Sequence, residues 1–239
     1  MNVLVGVHPV REALRAGRSL DRVLIAKGAG GTKIQEIIEI CRQQGIAVRF
    51  EPRDALDRAC HNAVHQGVLA FAAPQKFAVA DDIVGKAECI VILDGVEDPH
   101  NLGAIIRTVH AAGADAVMIP DRRAASVTET VNKASAGAIE HLPVVKIVNV
   151  RQEIERLKEE RYWIYGLDER GDQDYDAVEY AAPTVFVLGG EGKGLHEHVR
   201  KQCDFVVRIP MSGAIASLNV SVATGVVLFE WRRQRRAVS

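Results

Sequence analysis

Cysteine is scarce in this 239-residue chain: Cys41, Cys60, Cys89 and Cys203 lie far apart with no CxxC pair. That spacing argues against a disulfide framework and a zinc site, and suits a reducing cytoplasm. Aromatic residues make up 5% of the chain, and eight prolines with 20 glycines leave no room for a collagen-like or low-complexity sequence. No stretch approaches the roughly 18 uncharged apolar residues of a membrane span, so no membrane partner is expected. The opening Met1-Asn2-Val3-Leu4-Val5-Gly6-Val7 is apolar but short. It lacks a basic leader and runs into His8-Pro9 and Arg11-Glu12, so it does not read as a signal peptide. Metal motifs are missing as well. His61 and His65 stand at i, i+4, but Asn62 replaces the Glu of HExxH, and His196 and His198 are expected on different faces of one helix. No metal is expected, and without a Gly-x-Ser-x-Gly elbow a serine hydrolase is disfavoured.

What is present is an apolar share of 48%, enough to fill a core and to exclude wholesale disorder. The length fits one large domain or two small ones. The net charge of −1 conceals an asymmetry. Residues 1–76 hold 11 Lys and Arg against 7 Asp and Glu, a net of +4, and the remainder holds 19 against 24, a net of −5. The N-terminal part, and the tail with Arg232, Arg233, Arg235 and Arg236, could meet phosphates; solvated surface charge explains them equally well.

Residues 1–73 alternate strand-like and helix-like pieces. Arg22–Ala26 reads as a buried strand, Thr32 as the cap of a helix carrying Ile34, Ile37, Ile38 and Cys41, and Gly45 as its end. Ile46–Phe50 and Gly67–Phe71 read as further strands. Residues 74–88 lose both periodicities and read as a linker. From 89 to 239 a second alternation runs. Strands are expected at Cys89–Leu93, Ala116–Ile119, His141–Val145, Trp163–Leu167, Val185–Leu188 and Phe205–Ile209. Helices are expected at Leu102–Ala112, Val150–Glu160 and Leu218–Arg235. The fold class is therefore α/β, with a parallel sheet covered on both faces and a small α/β unit before it. Ligands of such sheets sit at the carboxyl ends of the strands, which singles out the loops after Leu93, Leu188 and Ile209.

In the first loop, Asp94 to Thr108, Asn101 reads as a helix cap. Arg107 has almost wholly apolar neighbours and needs an anionic partner, either Asp94 or Asp98 in a salt bridge or a phosphate. The second loop, Gly189-Gly190-Glu191-Gly192-Lys193-Gly194, suggests close backbone approach to a ligand. It fails the Walker A pattern, since Val187 and Gly194 stand at the required Gly and Ser/Thr places, and Leu195 breaks the dinucleotide fingerprint. In the third, Ile209 to Ala223, Ser217 fits an N-cap, while Asn219 and Ser221 are unfavoured in an apolar first turn unless something pairs with them.

Together the loops resemble the SpoU (TrmH-type) family of RNA ribose 2′-O-methyltransferases. The resemblance runs through Asp98-Pro99-x-Asn101-x-Gly103-x-x-x-Arg107-Thr108 and Leu188-Gly189-x-Glu191-Gly192-x-Gly194. It ends in Ile209-Pro210-Met211 with Ser217-Leu218-Asn219-Val220-Ser221-Val222-Ala223. Residues 1–73, from Gly6-x-His8-x-Val10 to His65-Gln66-Gly67-Val68, look like the family's substrate-binding domain. The combination is most similar to RlmB-like members, which methylate a guanosine ribose in 23S ribosomal RNA of the large subunit. The resemblance implies a SPOUT-type domain with a deep trefoil knot, a cytoplasmic homodimer, a role in rRNA processing and S-adenosylmethionine as methyl donor. It assigns cofactor contacts to Gly189, Gly190, Ile209, Met211 and Leu218, although Gly190 departs from the Asn, Ser or Ala expected beside Glu191. Arg107 takes the place of the catalytic arginine, with Asn101, Glu191, Ser217 and Asn219 orienting it and the ribose. A guanidinium is protonated at neutral pH, so its natural role is to bind the adjacent phosphate and stabilise the developing alkoxide rather than to act as a base. A transfer RNA enzyme of the same family and a non-catalytic RNA-binding or ribosome-assembly factor are the alternatives.

Overall fold

The computed structural model describes residues 2–61, 63–73, 77–122, 128–190, 194–213 and 217–238. In chain order the first elements are β1 (Asn2–Val5), α1 (Val7–Arg15), β2 (Leu20–Ala26), α2 (Thr32–Gln43), β3 (Ala47–Glu51), α3 (Arg53–Ala59) and β4 (Val68–Ala72). After α4 (Ala80–Ile83) come β5 (Cys89–Asp94), α5 (Pro99–Ala112), β6 (Ala116–Pro120), α6 (Glu129–Ala134), β7 (Val144–Ile147) and α7 (Val150–Glu159). The chain ends with β8 (Trp163–Leu167), β9 (Gln173–Asp174), β10 (Thr184–Gly189), α8 (Glu197–Arg200), β11 (Phe205–Arg208) and α9 (Val220–Val238). Among the described residues no helix is long and apolar enough to cross a membrane.

Two compact units result, and the division is not a single cut. The first comprises residues 1–76 together with 126–141; the second holds 77–125 and 142–239. The first unit is a four-stranded sheet in the order β1-β4-β2-β3. Its strand residues alternate between two cores: Leu4, Val23, Ile25 and Val68 pack with α1 and α2, while Val5, Leu24 and Leu69 pack with Leu56 of α3. β1 and α1 were not legible as elements, because a four-residue strand and a helix with Pro9 in its first turn carry little periodicity. Thr32, expected as a cap, is instead the first residue of α2; Gly31 precedes it as the N-cap without a side-chain bond. Segment 126–141 packs α6 on β1 and ends in a 3-10 turn, Ala138–Glu140. Its Glu140 is ion-paired with Arg18, both side chains nearly buried, and His141 meets Glu12 at 3.1 Å.

The second unit is a seven-stranded sheet in the order β7-β6-β5-β10-β8-β11-β9, with every adjacent pair parallel. Both faces are covered, which is why its strands read as unbroken apolar runs. Ile90, Ile92 and Val187 pack against Ile154 and Leu157 of α7. Those two helix residues are fully buried, so truncating either to Ala costs about 2–5 kcal/mol. On the other face α9 packs on β10, and α5 packs on β6 and along α9. Residues 77–88 join this unit: the Ala78 amide donates to the Val144 carbonyl at 2.8 Å, and Ala78, Ala80, Ile83 and Val84 pack on the α7 core.

Two buried carboxylates stand at the strand ends. Asp168, just past β8, accepts from the Leu195 amide at 2.9 Å, and from the Arg170 amide and guanidinium at 2.8–2.9 Å. Asp94, ending β5, accepts from the His196 amide and ring Nδ1, each at 2.9 Å. Burial alone would push the Asp168 carboxyl up. The hydrogen bonds from Arg170 and Leu195 outweigh it, with help from the Arg170 charge, and hold the group at about 2 against an ordinary 3.8. A depressed folded-state value stabilises the protein above the unfolded value, and that stability is lost as pH falls from about 4 toward 2. The shift corresponds to about 2 kcal/mol. Urea unfolding at pH 5 and pH 2 should therefore show wild type losing about 2 kcal/mol more than Asp168→Asn; equal losses would contradict this role for Asp168.

Candidate active site and cofactor cleft

The carboxyl ends of β8, β10 and β11 open onto one cleft. Its lining includes Leu167, Asp168 and Glu169 after β8, Gly189 and Gly190 after β10, and Ile209, Met211, Ser217 and Leu218 on the way to α9. All five residues expected to touch a cofactor, Gly189, Gly190, Ile209, Met211 and Leu218, therefore line one cavity, with Ser217 beside them. The Leu167–Glu169 wall was missed. Its only signal in the sequence is an acidic pair directly after an apolar strand, and the strand-end rule, applied to every strand, would have reached it.

The glycine-rich loop, besides lining the cleft, packs closely on the protein's own backbone. A Cβ on Gly189 would run into the Gly194 carbonyl group, and one on Gly190 would run into the Gly95 carbonyl oxygen. The close approach is thus between backbone segments of the protein itself. It also explains why Gly stands at 190 where a larger residue was expected. Gly190 and Gly194 form an antiparallel bridge, and the Gly190 amide donates to the Asp94 carbonyl at 2.9 Å. Glu191 lies outside the described residues.

Helix α5 begins at Pro99, not at Asn101: Asp98 is its cap, accepting from the His100 amide at 3.0 Å. Asn101 is instead buried within the first turn, and its Oδ1 accepts from Asn219 Nδ2 at 3.0 Å. Asn219 caps α9 in place of Ser217. Its Oδ1 accepts from the Ser221 amide at 2.9 Å and the Ser221 hydroxyl at 2.6 Å, which satisfies the polar groups that looked out of place in an apolar first turn. One amide–amide bond therefore ties the start of α5 to the residue that follows Leu218.

Arg107 is exposed on α5, and among the described residues it makes neither a hydrogen bond nor an ion pair. Both carboxylates considered as partners are otherwise engaged, Asp94 with His196 and Asp98 at the helix cap. The structural salt bridge is thus absent, and the guanidinium remains available for an anion. His196, expected on the same helix as His198, is instead the N-cap that precedes α8, and the two ring centroids lie 5.6 Å apart.

The first unit has its own concavity. Val7 and His8 at the start of α1, Gly30 to Ile34 at the start of α2, and Gln66 line it. Lys33 Nζ lies 3.2 Å from His8 Nε2, and Gln66 Oε1 accepts from the Val7 amide at 3.4 Å. His65, buried behind it, bonds Asp57 at 3.0 Å and accepts from the Gly67 amide at 2.9 Å, which holds the turn. The two N-terminal motifs, Gly6-x-His8 and His65-Gln66-Gly67, thus meet in one place.

Comparison with known proteins bears on this geometry. The pattern of the SpoU rRNA Methylase family matches residues 88–229, and that described as RNA 2′-O ribose methyltransferase substrate binding matches residues 3–78. A protein of Staphylococcus haemolyticus, named as a TrmH family tRNA/rRNA methyltransferase, is 40% identical over 242 residues, covering 99% of this chain and 97% of that protein. Among solved structures, the SpoU methyltransferase AviRb from Streptomyces viridochromogenes, in complex with AdoMet, is 26% identical with a TM-score of 0.84. That match covers 98% of this chain and 90% of AviRb. The AdoMet-bound rRNA methyltransferase from Sinorhizobium meliloti is 25% identical with a TM-score of 0.81, covering 97% and 87%. A catalytic pattern spanning more than half the chain and a full-length relative at this identity place the protein in a family: it belongs to the SpoU (TrmH-type) family of RNA methyltransferases.

Proposed function

We propose that this protein transfers the methyl group of S-adenosylmethionine to the 2′-hydroxyl of a guanosine ribose in 23S ribosomal RNA. The observation that carries the reading is the single cleft that gathers Gly189, Gly190, Ile209, Met211 and Leu218 next to the Asn101–Asn219 bond. The cleft suits the cofactor chemically. Ile209, Met211 and Leu218 offer apolar surface to a purine, the glycine segment offers backbone groups, and Glu169 of the β8 turn offers a carboxylate to a cationic ligand. When bound, the cofactor supplies a methyl group on a positively charged sulfur.

The chain's own residues supply position and charge. Asn101 and Asn219 fix α5 against the segment bearing Ser217 and Leu218, so the RNA-facing and cofactor-facing groups keep one spacing. Arg107, exposed and unpaired among the described residues, binds the phosphate beside the reactive ribose and stabilises the alkoxide as the hydroxyl loses its proton. Glu191 and Ser217 orient the ribose. The first unit grips the RNA through the cavity bearing His8 and Lys33. Its balance of 12 Lys and Arg against 9 Asp and Glu, net +3, supports that role, whereas the second unit holds 18 against 22, net −4. Family membership supports a trefoil knot around the cleft and a homodimer. Exposed Val222 and Phe229, seven residues apart on α9, support an apolar contact between copies. The four cysteines are unpaired, in keeping with a cytoplasmic enzyme.

Transfer of labelled methyl from S-adenosylmethionine to unmodified ribosomal RNA and to unmodified tRNA, mapped by the alkali-resistant linkage, tests the assignment. Label in one large-subunit guanosine is the expected outcome. Label only in tRNA would keep the chemistry and overturn the target, and label in neither, with cofactor still bound, would favour a binding factor. Arg107→Ala should cut the transfer rate by about 10²–10³-fold and leave calorimetric cofactor affinity nearly unchanged. A parallel loss of cofactor affinity would remove Arg107 from the reaction. Lys33→Met should weaken RNA binding and lower the slope of log affinity against log salt by about one. An unchanged slope would exclude a phosphate contact at Lys33.

A further inference from the structure

The charge distribution around the cleft assigns a role to Glu169. The residues flanking it are committed: Asp168 is fully bonded by Arg170 and Leu195, and Arg170 folds its guanidinium back onto Asp168 in a two-point contact. The Gly171 amide closes the turn onto the Asp168 carbonyl at 3.0 Å. Glu169 is held at the apex of this clamped turn. It is exposed, lines the cleft, and makes neither hydrogen bond nor ion pair among the described residues. No Lys, Arg or His is among the described residues that line the cleft. With Asp168 neutralised by Arg170, Glu169 is the acidic side chain among the described lining residues that no hydrogen bond or ion pair engages, although the Arg170 charge lies near it.

We propose that Glu169 is the charge-selecting residue of the cleft, favouring the cationic methyl donor over its neutral demethylated product and so promoting their exchange after each turnover. The proposal rests on the reading that the cleft binds S-adenosylmethionine. Donor and product share an ammonium and a carboxylate, so whatever Glu169 does to those groups cancels in the ratio of the two affinities. They differ by the methyl group and the positive charge on sulfur. The sign of the discrimination therefore does not depend on the pose; only its size depends on distance. At about 8 Å and an effective dielectric of about 40, between the protein and water limits, it amounts to a three- to ten-fold preference, roughly.

Calorimetric titration of the full-length protein with S-adenosylmethionine and S-adenosylhomocysteine measures that preference. In Glu169→Gln, the ratio of donor affinity to product affinity should fall by about three- to ten-fold. Glu169→Asp should keep most of the preference, and raising salt on wild type should shrink it, as screening of a charge contact requires. Equal losses for both ligands, or an unchanged ratio, would overturn the proposal. Wild type binding neither ligand would overturn the cofactor reading itself, an outcome distinct from an altered ratio.

Discussion

Two carboxylates on either side of one strand hold the reactive end of this molecule together. β10 lies between β5 and β8, and the three strands run out in register: Gly189 sits opposite Asp94, and Leu188 sits opposite Leu167. Asp94 and Asp168 thus flank the glycine segment, and each accepts a consecutive amide of the returning chain, His196 and Leu195. A loop tied on both sides this way cannot fill its own space with side chains. That is why Gly189 and Gly190 have no room for a Cβ, and why the cleft floor is backbone. Buried acids are costly unless fully bonded. Asp168 meets the requirement with Arg170, and Asp94 meets it with the His196 ring.

A second tie acts across the cleft. Asn219 accepts at its oxygen from the first turn of α9 and donates from its amide nitrogen to Asn101, so the starts of both helices are tied by one side-chain pair. Because α5 and α9 also pack along each other, with Thr108 close to Gly225, the exposed Arg107 is carried on a rigid support. Preorganisation of this kind suits a reaction in which the protein supplies position and charge rather than a covalent intermediate.

The parallel sheet was legible because strands covered on both faces must be apolar throughout, as in Cys89–Leu93 and Val185–Leu188. The residues that motif resemblance names as cofactor contacts meet in one cavity. Helix starts were less legible. Asn101 and Asp98 are both good caps by type, and only Pro99, favourable at the first helical position, decides for Asp98. Ser217 lost to Asn219 for a similar reason, since several polar residues compete there. Nothing local marks segment 126–141 as part of the first unit. Its attachment depends on Glu140 finding Arg18, 122 residues away, and a pairing over that separation leaves no periodic trace.

The unequal charge of the two units bears on how a net-acidic catalytic unit can act on a polyanion. With a net of −4, the second unit repels RNA at long range, and a solitary Arg107 offsets little of that beyond a Debye length of about 8–10 Å. The first unit, which matches the RNA 2′-O ribose methyltransferase substrate-binding pattern, carries the opposite net charge of +3 and does not share that repulsion. The acidic cleft can then serve a cationic cofactor without having to be the surface that recruits the nucleic acid. On the proposed division of labour, lowering the positive charge of the first unit should weaken RNA capture, whereas changing the cleft acids should alter cofactor exchange, and the two effects separate because they act on different ligands.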